Sequence, residues 1–162
     1  MRNYRPLYLL GFLICFGLLS FALWLQYHAG EDPCPLCIFQ RVAVLVLALL
    51  FLLASILNPQ ALWSRRFYSF LIQLTALIGA LIASRQVWLQ HLPPNEIPSC
   101  GPGLSFILKT HPFLKSLEVV LTGSGECAAV HWRFLTLSIA QWMLIWFILF
   151  TVIGLFIGRK KR

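Results

Sequence analysis

The chain has 162 residues, 59% of them hydrophobic and only 11% charged, with a mean hydropathy of +0.80 and a formal net charge of +8. A soluble domain carries about 25% charged residues, so this composition excludes one: the surplus apolar surface requires lipid. The basic excess would suggest nucleic acid in a soluble protein, but here it lies outside the apolar runs and reads as membrane topology, on a chain long enough for a single domain, 1–162.

Crossing the bilayer core takes about 20 apolar residues in a helix. The first such run goes from Leu7 to about Leu25, behind Arg2 and Arg5. It exceeds the apolar core of a secretory signal, about 7–15 residues, so it is expected to remain as a span. A short loop follows, about 26–37, holding Cys34-Pro35-Leu36-Cys37. The second run covers Ile38 to Leu57 and the third about Phe67 to Leu89, with Arg85 near its end. A longer loop, about 90–133, contains Pro112 to Leu121, where Phe113, Leu114, Leu117, Val120 and Leu121 share one helical face. Proline suits a first helical turn, and the segment predicts a short helix lying on the membrane surface or packed on protein. The fourth run covers about Phe134 to Ile157. Helices satisfy their own backbone groups in lipid. The expected fold is therefore an all-α, four-transmembrane-helix bundle with two loops on one side. Gly79/Ala83 and Gly154/Gly158 are small-residue pairs that would permit close helix contact.

Basic residues beside the spans set the orientation. Arg2, Arg5, Arg65, Arg66, Arg159, Lys160, Lys161 and Arg162 share one side, with no acid among them. All five acids (Glu31, Asp32, Glu96, Glu118 and Glu126) fall on the other, with Lys109, Lys115 and Arg133. Both termini are thus expected in the cytoplasm and both loops outside.

This topology gathers Cys34, Cys37, Cys100 and Cys127 on the outer side, where disulfides persist. Cys15, inside the first run, reads as a small packing residue. The CPLC spacing is that of redox-active pairs. Cys37 falls just before the second run, near a helix N-terminus whose dipole favours a thiolate, and Arg41 follows one turn later. A cation at the lipid boundary is expensive unless something uses it. Cys100 and Cys127 bracket the longer loop beside Pro98, Gly101, Pro102 and Gly103. Three readings of these four cysteines stand at this point. Two static bridges explain the loop pair, worth about 3–4 kcal/mol, but explain the small CPLC ring poorly. A zinc site has enough thiolates but only one CxxC. An exchangeable disulfide on a loop is one that an incoming thiolate can attack. His91, at the outer end of the third run, could hydrogen-bond a ligand carbonyl or move a proton; Arg85 could stabilise a ligand's charge or snorkel.

The segments CPLCIFQR (34–41), WLQHLPPNEIPSCGPG (88–103) and GECAAVHWRFL (125–135), together with the four-span layout, resemble the disulfide bond formation protein B (DsbB) family. The resemblance implies a bacterial inner-membrane enzyme that reoxidises a periplasmic dithiol oxidase of the DsbA type and passes the electrons to ubiquinone or menaquinone, a relay of the kind that keeps the periplasm oxidising. It implies that Cys100 receives the partner's thiolate, that Cys127 is its companion, and that Cys34 exchanges with the loop pair. It also implies that Cys37 faces the quinone and that Arg41 stabilises the quinone and the adjacent thiolate. The chain departs from the family pattern at Thr136 and Ala140, near which glycine and proline are expected; both bear on how the fourth span begins. A dedicated oxidase or quinone reductase with another thiol partner would use the same four cysteines. A non-enzymatic membrane scaffold would hold them in bridges that never turn over.

Overall fold

The computed structural model describes residues 4–28, 30, 33–93, 125–128, 130 and 133–159. Helix α1 spans Arg5–His28, α2 Pro35–Leu57, α3 Leu62–Leu89 and α4, a single turn, Gly125–Ala128. Strands β1 (Arg133–Phe134) and β2 (Leu137–Ser138) form a small antiparallel hairpin that leads into α5, Ile139–Arg159. Four of these helices (α1, α2, α3 and α5) are long and apolar enough to cross a membrane. The surface helix expected over 112–121 and Cys100 lie outside the described residues.

Hydrogen bonds fix an up-down-up-down arrangement. At one end Arg5, opening α1, donates to the Ser55 carbonyl near the close of α2. At the other, Arg41 in α2 reaches Gln26 in α1, and Ser138 before α5 reaches Gln90 after α3. Helix α1 packs on α2, α2 on α3 and α3 on α5, whereas α1 and α5 barely touch.

The helix ends differ from the apolar runs, for local reasons. Helix α2 begins at Pro35 rather than Ile38, because proline's fixed φ and missing N–H suit the first helical position. Cys37 therefore lies inside the first turn. It is Cys34, in an extended conformation, that caps the helix, its sulfur accepting the Cys37 N–H. At the far end Asn58 closes α2 in the left-handed conformation (φ 42°), its N–H on the Ala54 carbonyl, and Pro59 follows. Helix α3 begins at Leu62 instead of Phe67: Arg65 and Arg66 interrupt the hydropathy but not the helix, and Arg65 stacks over the Tyr4 ring at 5.3 Å. Helix α5 begins five residues later than the apolar run. Residues 133–138 fold back as the hairpin, with Leu135 and Thr136 both at positive φ (51° and 69°), the backbone that a two-residue hairpin turn demands. Ser138 and Gln141 then form a reciprocal capping box, Gln141 N–H to Ser138 Oγ and Ser138 N–H to Gln141 Oε1.

The core runs along the bundle axis through Tyr8, Val44, Leu47, Phe51, Ile72, Phe147 and Phe150, and Cys15 is fully buried within it as a packing residue. Small residues let α3 and α5 approach. A methyl group at Gly79 would overlap the Phe147 ring, and one at Gly154 would overlap Gln73. Ser69 Oγ donates to the Gly154 carbonyl (2.6 Å) and accepts from Gln73 Nε2 (2.8 Å), so this polar pair between two spans is satisfied. The outward faces remain apolar: Phe16, Ile56, Leu81 and Phe156 are all well exposed. Tryptophans lie toward span ends, Trp24 and Trp88 at the Cys34 end and Trp63 at the other, as interfacial anchors do.

Candidate functional site

The N-terminus of α2 carries the CPLC pair. The sulfurs of Cys34 and Cys37 stand 3.1 Å apart, hydrogen-bonded rather than covalently joined. The single turn Pro35–Leu36–Cys37 brings them together, with the Ile38 N–H on the Cys34 carbonyl at 3.1 Å.

Two amides that the CPLC motif does not point to complete this end of the bundle. Gln86, from α3, sets Nε2 3.2 Å from the Cys37 sulfur and 3.5 Å from that of Cys34. Its Oε1 accepts from Gln40 Nε2 at 2.7 Å. Both glutamines are buried, at 4% and 3% exposure, where an unpaired amide costs about 1–3 kcal/mol. The signal was present: Gln40 stands three residues beyond Cys37, on the same face of a helix.

Cys127 arrives from α4, which packs against α2 and α3. It is fully buried in a small cluster with Cys34, Leu36 and Leu89. Its side chain hydrogen-bonds Cys34; that bond, the bond to Cys37 and burial together push the Cys34 thiol well above the ordinary thiol range.

Beside the sulfurs lies a cavity of about 280 Å³, in the gap between α1 and α5. Its wall is mostly apolar, with Leu18, Phe21, Leu25, Val44, Trp142 and Trp146 among its residues. The polar groups facing it are few: Cys34, Cys37, Gln40, Arg41, Gln86, Gln90 and Ser138. Small-ligand sites have this character, and start near 300 Å³. An apolar wall with a dithiol and a handful of donors fits a planar quinone ring and the start of its tail.

Arg41 lines the cavity while its guanidinium holds α1, with Nη1 on Gln26 Oε1 (2.5 Å) and Nη2 on the Ala22 carbonyl (3.1 Å). The other candidates stand apart. The Arg85 guanidinium lies over the Trp88 ring at 4.3 Å, and the residue does not line the cavity. His91 is exposed and also outside the cavity wall, its Nδ1 2.7 Å from the Val87 carbonyl. The structure thus brings Cys34, Cys37, Cys127 and Arg41 to one end of the bundle, with His91 at its edge.

A family model described as disulfide bond formation protein DsbB matches residues 4–157. Disulfide bond formation protein B of Xylella fastidiosa (strain Temecula1) is 47% identical over 160 residues, 99% of this chain and 92% of that protein. The protein of the same name from Xanthomonas campestris pv. campestris is 45% identical, over 99% of this chain and 93% of its own length. That from Methylococcus capsulatus is 50% identical over 144 residues, 89% of this chain and 87% of its own.

Proposed function

From the premise that this chain belongs to the DsbB family, and is thus a multi-pass membrane protein that forms disulfide bonds, we propose that it reoxidises a periplasmic dithiol oxidase of the DsbA type and delivers the electrons to a membrane quinone, ubiquinone or menaquinone. The observation that carries this reading is the packing of Cys127 against Cys34, which with Cys37 lines an apolar cavity. A loop cysteine beside a helix-capping cysteine is the geometry that disulfide exchange requires.

The residue roles follow from that reading. The partner's thiolate attacks Cys100 of a Cys100–Cys127 disulfide, forming a mixed disulfide and releasing Cys127. In the oxidised enzyme Cys34 and Cys37 form a disulfide; the freed Cys127 sulfur, which lies against Cys34, attacks Cys34, so a Cys127–Cys34 bond forms as the Cys34–Cys37 bond breaks and Cys37 leaves as a thiolate toward the cavity. Over the whole cycle the partner's dithiol loses two electrons and two protons and becomes a disulfide. A bound quinone supplies the acceptor for the same two electrons and two protons. Arg41 places a fixed positive charge on the wall where negative charge gathers. His91, outside the wall with Nδ1 engaged by Val87, keeps Nε2 for moving protons between the cavity's edge and water. The distribution of basic residues supports a bacterial inner-membrane location with both termini in the cytoplasm and the cysteine end in the periplasm.

Purified protein with added quinone is expected to oxidise a reduced DsbA-type protein catalytically, and Cys37→Ser to abolish turnover. Full turnover by Cys37→Ser would remove this function.

A further inference from the structure

We propose that the side-chain amide of Gln86, aimed by Gln40, is a further catalytic group: it donates a hydrogen bond that holds the Cys37 sulfur as the anionic partner of the pair. The inference deepens the reading above and rests on it for the identity of Cys37 as the cavity-facing thiol.

The geometry singles out one sulfur and one donor. The Gln86 nitrogen stands 3.2 Å from the Cys37 sulfur and its oxygen 3.6 Å. The oxygen accepts from Gln40 Nε2 at 2.7 Å, a much closer bond than the 3.6 Å one that the Cys37 S–H donates to it when protonated. The Gln40 bond draws the oxygen toward Gln40 and sets the N–H as the nearer end of the amide to the Cys37 sulfur. A thiolate accepts hydrogen bonds and donates none. Two donors converge on Cys37, the Gln86 N–H and the Cys34 S–H at 3.1 Å. Cys34 is more distant from the same amide, at 3.5 Å. Burial strengthens the effect, since with little water nearby a charge-assisted bond keeps more of its strength. Helix α3 thereby delivers a neutral donor to a site where a second cation would be expensive. The amide gains and loses no proton or electron; it changes only which sulfur carries the charge.

The test needs neither quinone nor protein partner. The full-length, fully reduced protein in detergent is alkylated with iodoacetamide, and labelling at Cys37 is followed by peptide mass spectrometry. The rate at pH 7 divided by its plateau at high pH reads the thiolate fraction independently of access. The ionisable or charged groups facing Cys37 among the described residues are Cys34, Cys127 and, on the same cavity wall, Arg41, and all are retained in every variant. Gln86→Met keeps the length and removes the donor, and the ratio is expected to fall about tenfold, the worth of one hydrogen bond to a charged group. Gln86→Glu, which presents only acceptors when ionised, is expected to lower it further. Gln40→Met leaves Gln86 in place and unlocks its orientation, for a fall of about threefold. A Gln86→Met protein that melts like the parent and keeps the parental ratio overturns the proposal. If Gln86→Met does not fold, an unchanged ratio in Gln40→Met overturns it. Wild-type protein that shows the enriched Cys37 thiolate yet fails to reduce quinone would instead count against the function and leave the role of Gln86 standing.

Discussion

Replacing Arg41 by alanine tests whether the cavity is a quinone site and whether its charge matters. The guanidinium does two things in the structure: it lines the cavity, and it ties α2 to α1 through Gln26 (2.5 Å) and the Ala22 carbonyl (3.1 Å). Each bond involves a charged donor, worth about 1.5–3 kcal/mol, so alanine removes both the wall's charge and its brace. Helix α1 packs on α2 and barely touches α5, so its position at this end of the gap depends on its contacts with α2. A loss of about 1.4 kcal/mol of ligand binding is a tenfold change, and the apparent KM for quinone is expected to rise by about that much in Arg41→Ala. Gln26→Leu separates the two roles, because it removes the shorter bond and leaves the guanidinium in the wall. Its KM is expected to rise by no more than about threefold, one part of the brace. The assay is steady-state oxidation of a reduced dithiol protein with quinone varied. An unchanged KM in Arg41→Ala refutes the role of the charge. A Gln26→Leu enzyme as impaired as Arg41→Ala reduces Arg41 to a brace.

Three further outcomes are expected. Gly79→Leu drives a side chain into the Phe147 ring, an overpacking that costs about 1–3 kcal/mol and lowers the thermal midpoint in detergent; Gly17→Leu, with open space around its Cα, serves as control and leaves it unchanged. Thr136→Gly relieves a β-branched residue at φ 69°, so the thermal midpoint rises, by a stabilisation of about 1–2 kcal/mol; a lower midpoint would mean that the hairpin turn is not as described. In the reduced protein, raising the pH from 7 to 9 ionises an ordinary thiol, of pKa about 8.5. The Cys34 thiol is held above that range by Cys127, Cys37 and burial, so its thiolate is still scarce at pH 9 and its alkylation is expected to stay slow there. Rapid labelling of Cys34 by pH 9 contradicts the contact with Cys127.

The four spans were legible because hydropathy over about 20 residues is a strong signal. Their ends were not, because a helix stops where its backbone groups find a cap, and an apolar run need not stop there. Phe134 to Ser138 continue the apolar run yet fold into a hairpin. The capping box that marks the true start of α5, Ser138 with Gln141, has the spacing of a readable motif. The chemistry divides in the same way. The cysteines and Arg41 declare themselves by residue type and spacing. Gln86 does not, because its importance depends on how α3 is rotated against α2. Its neighbour Arg85 draws notice by its charge, but one residue is about 100° around a helix. That rotation sends the guanidinium onto Trp88 and the amide onto the sulfurs.

The bundle is built tight at one end and open at the other, and the two halves use opposite kinds of residue. Away from the cysteines, glycines remove the side chains between α3 and α5, so Gly154 and Gly158 lie against Gln73 and Ser69. Dispersion contacts and one satisfied polar pair then hold the helices together without help from water. Toward the cysteines, the spans carry amides in place of glycines: Gln26, Gln40 and Gln86, with Gln90 just beyond the end of α3. Each of these amides is tied to another helix, to a sulfur or to the hairpin before α5. These groups hold the walls at fixed spacing without filling the space between them, and the cavity between α1 and α5 is the result. A bundle packed with small residues along its whole length would leave no room for a ligand. One spaced by amides throughout would lose the contacts that hold its helices together in lipid. Placing the change from one to the other partway along α3, between Gly79 and Gln86, gives the sulfurs a rigid floor and an open wall.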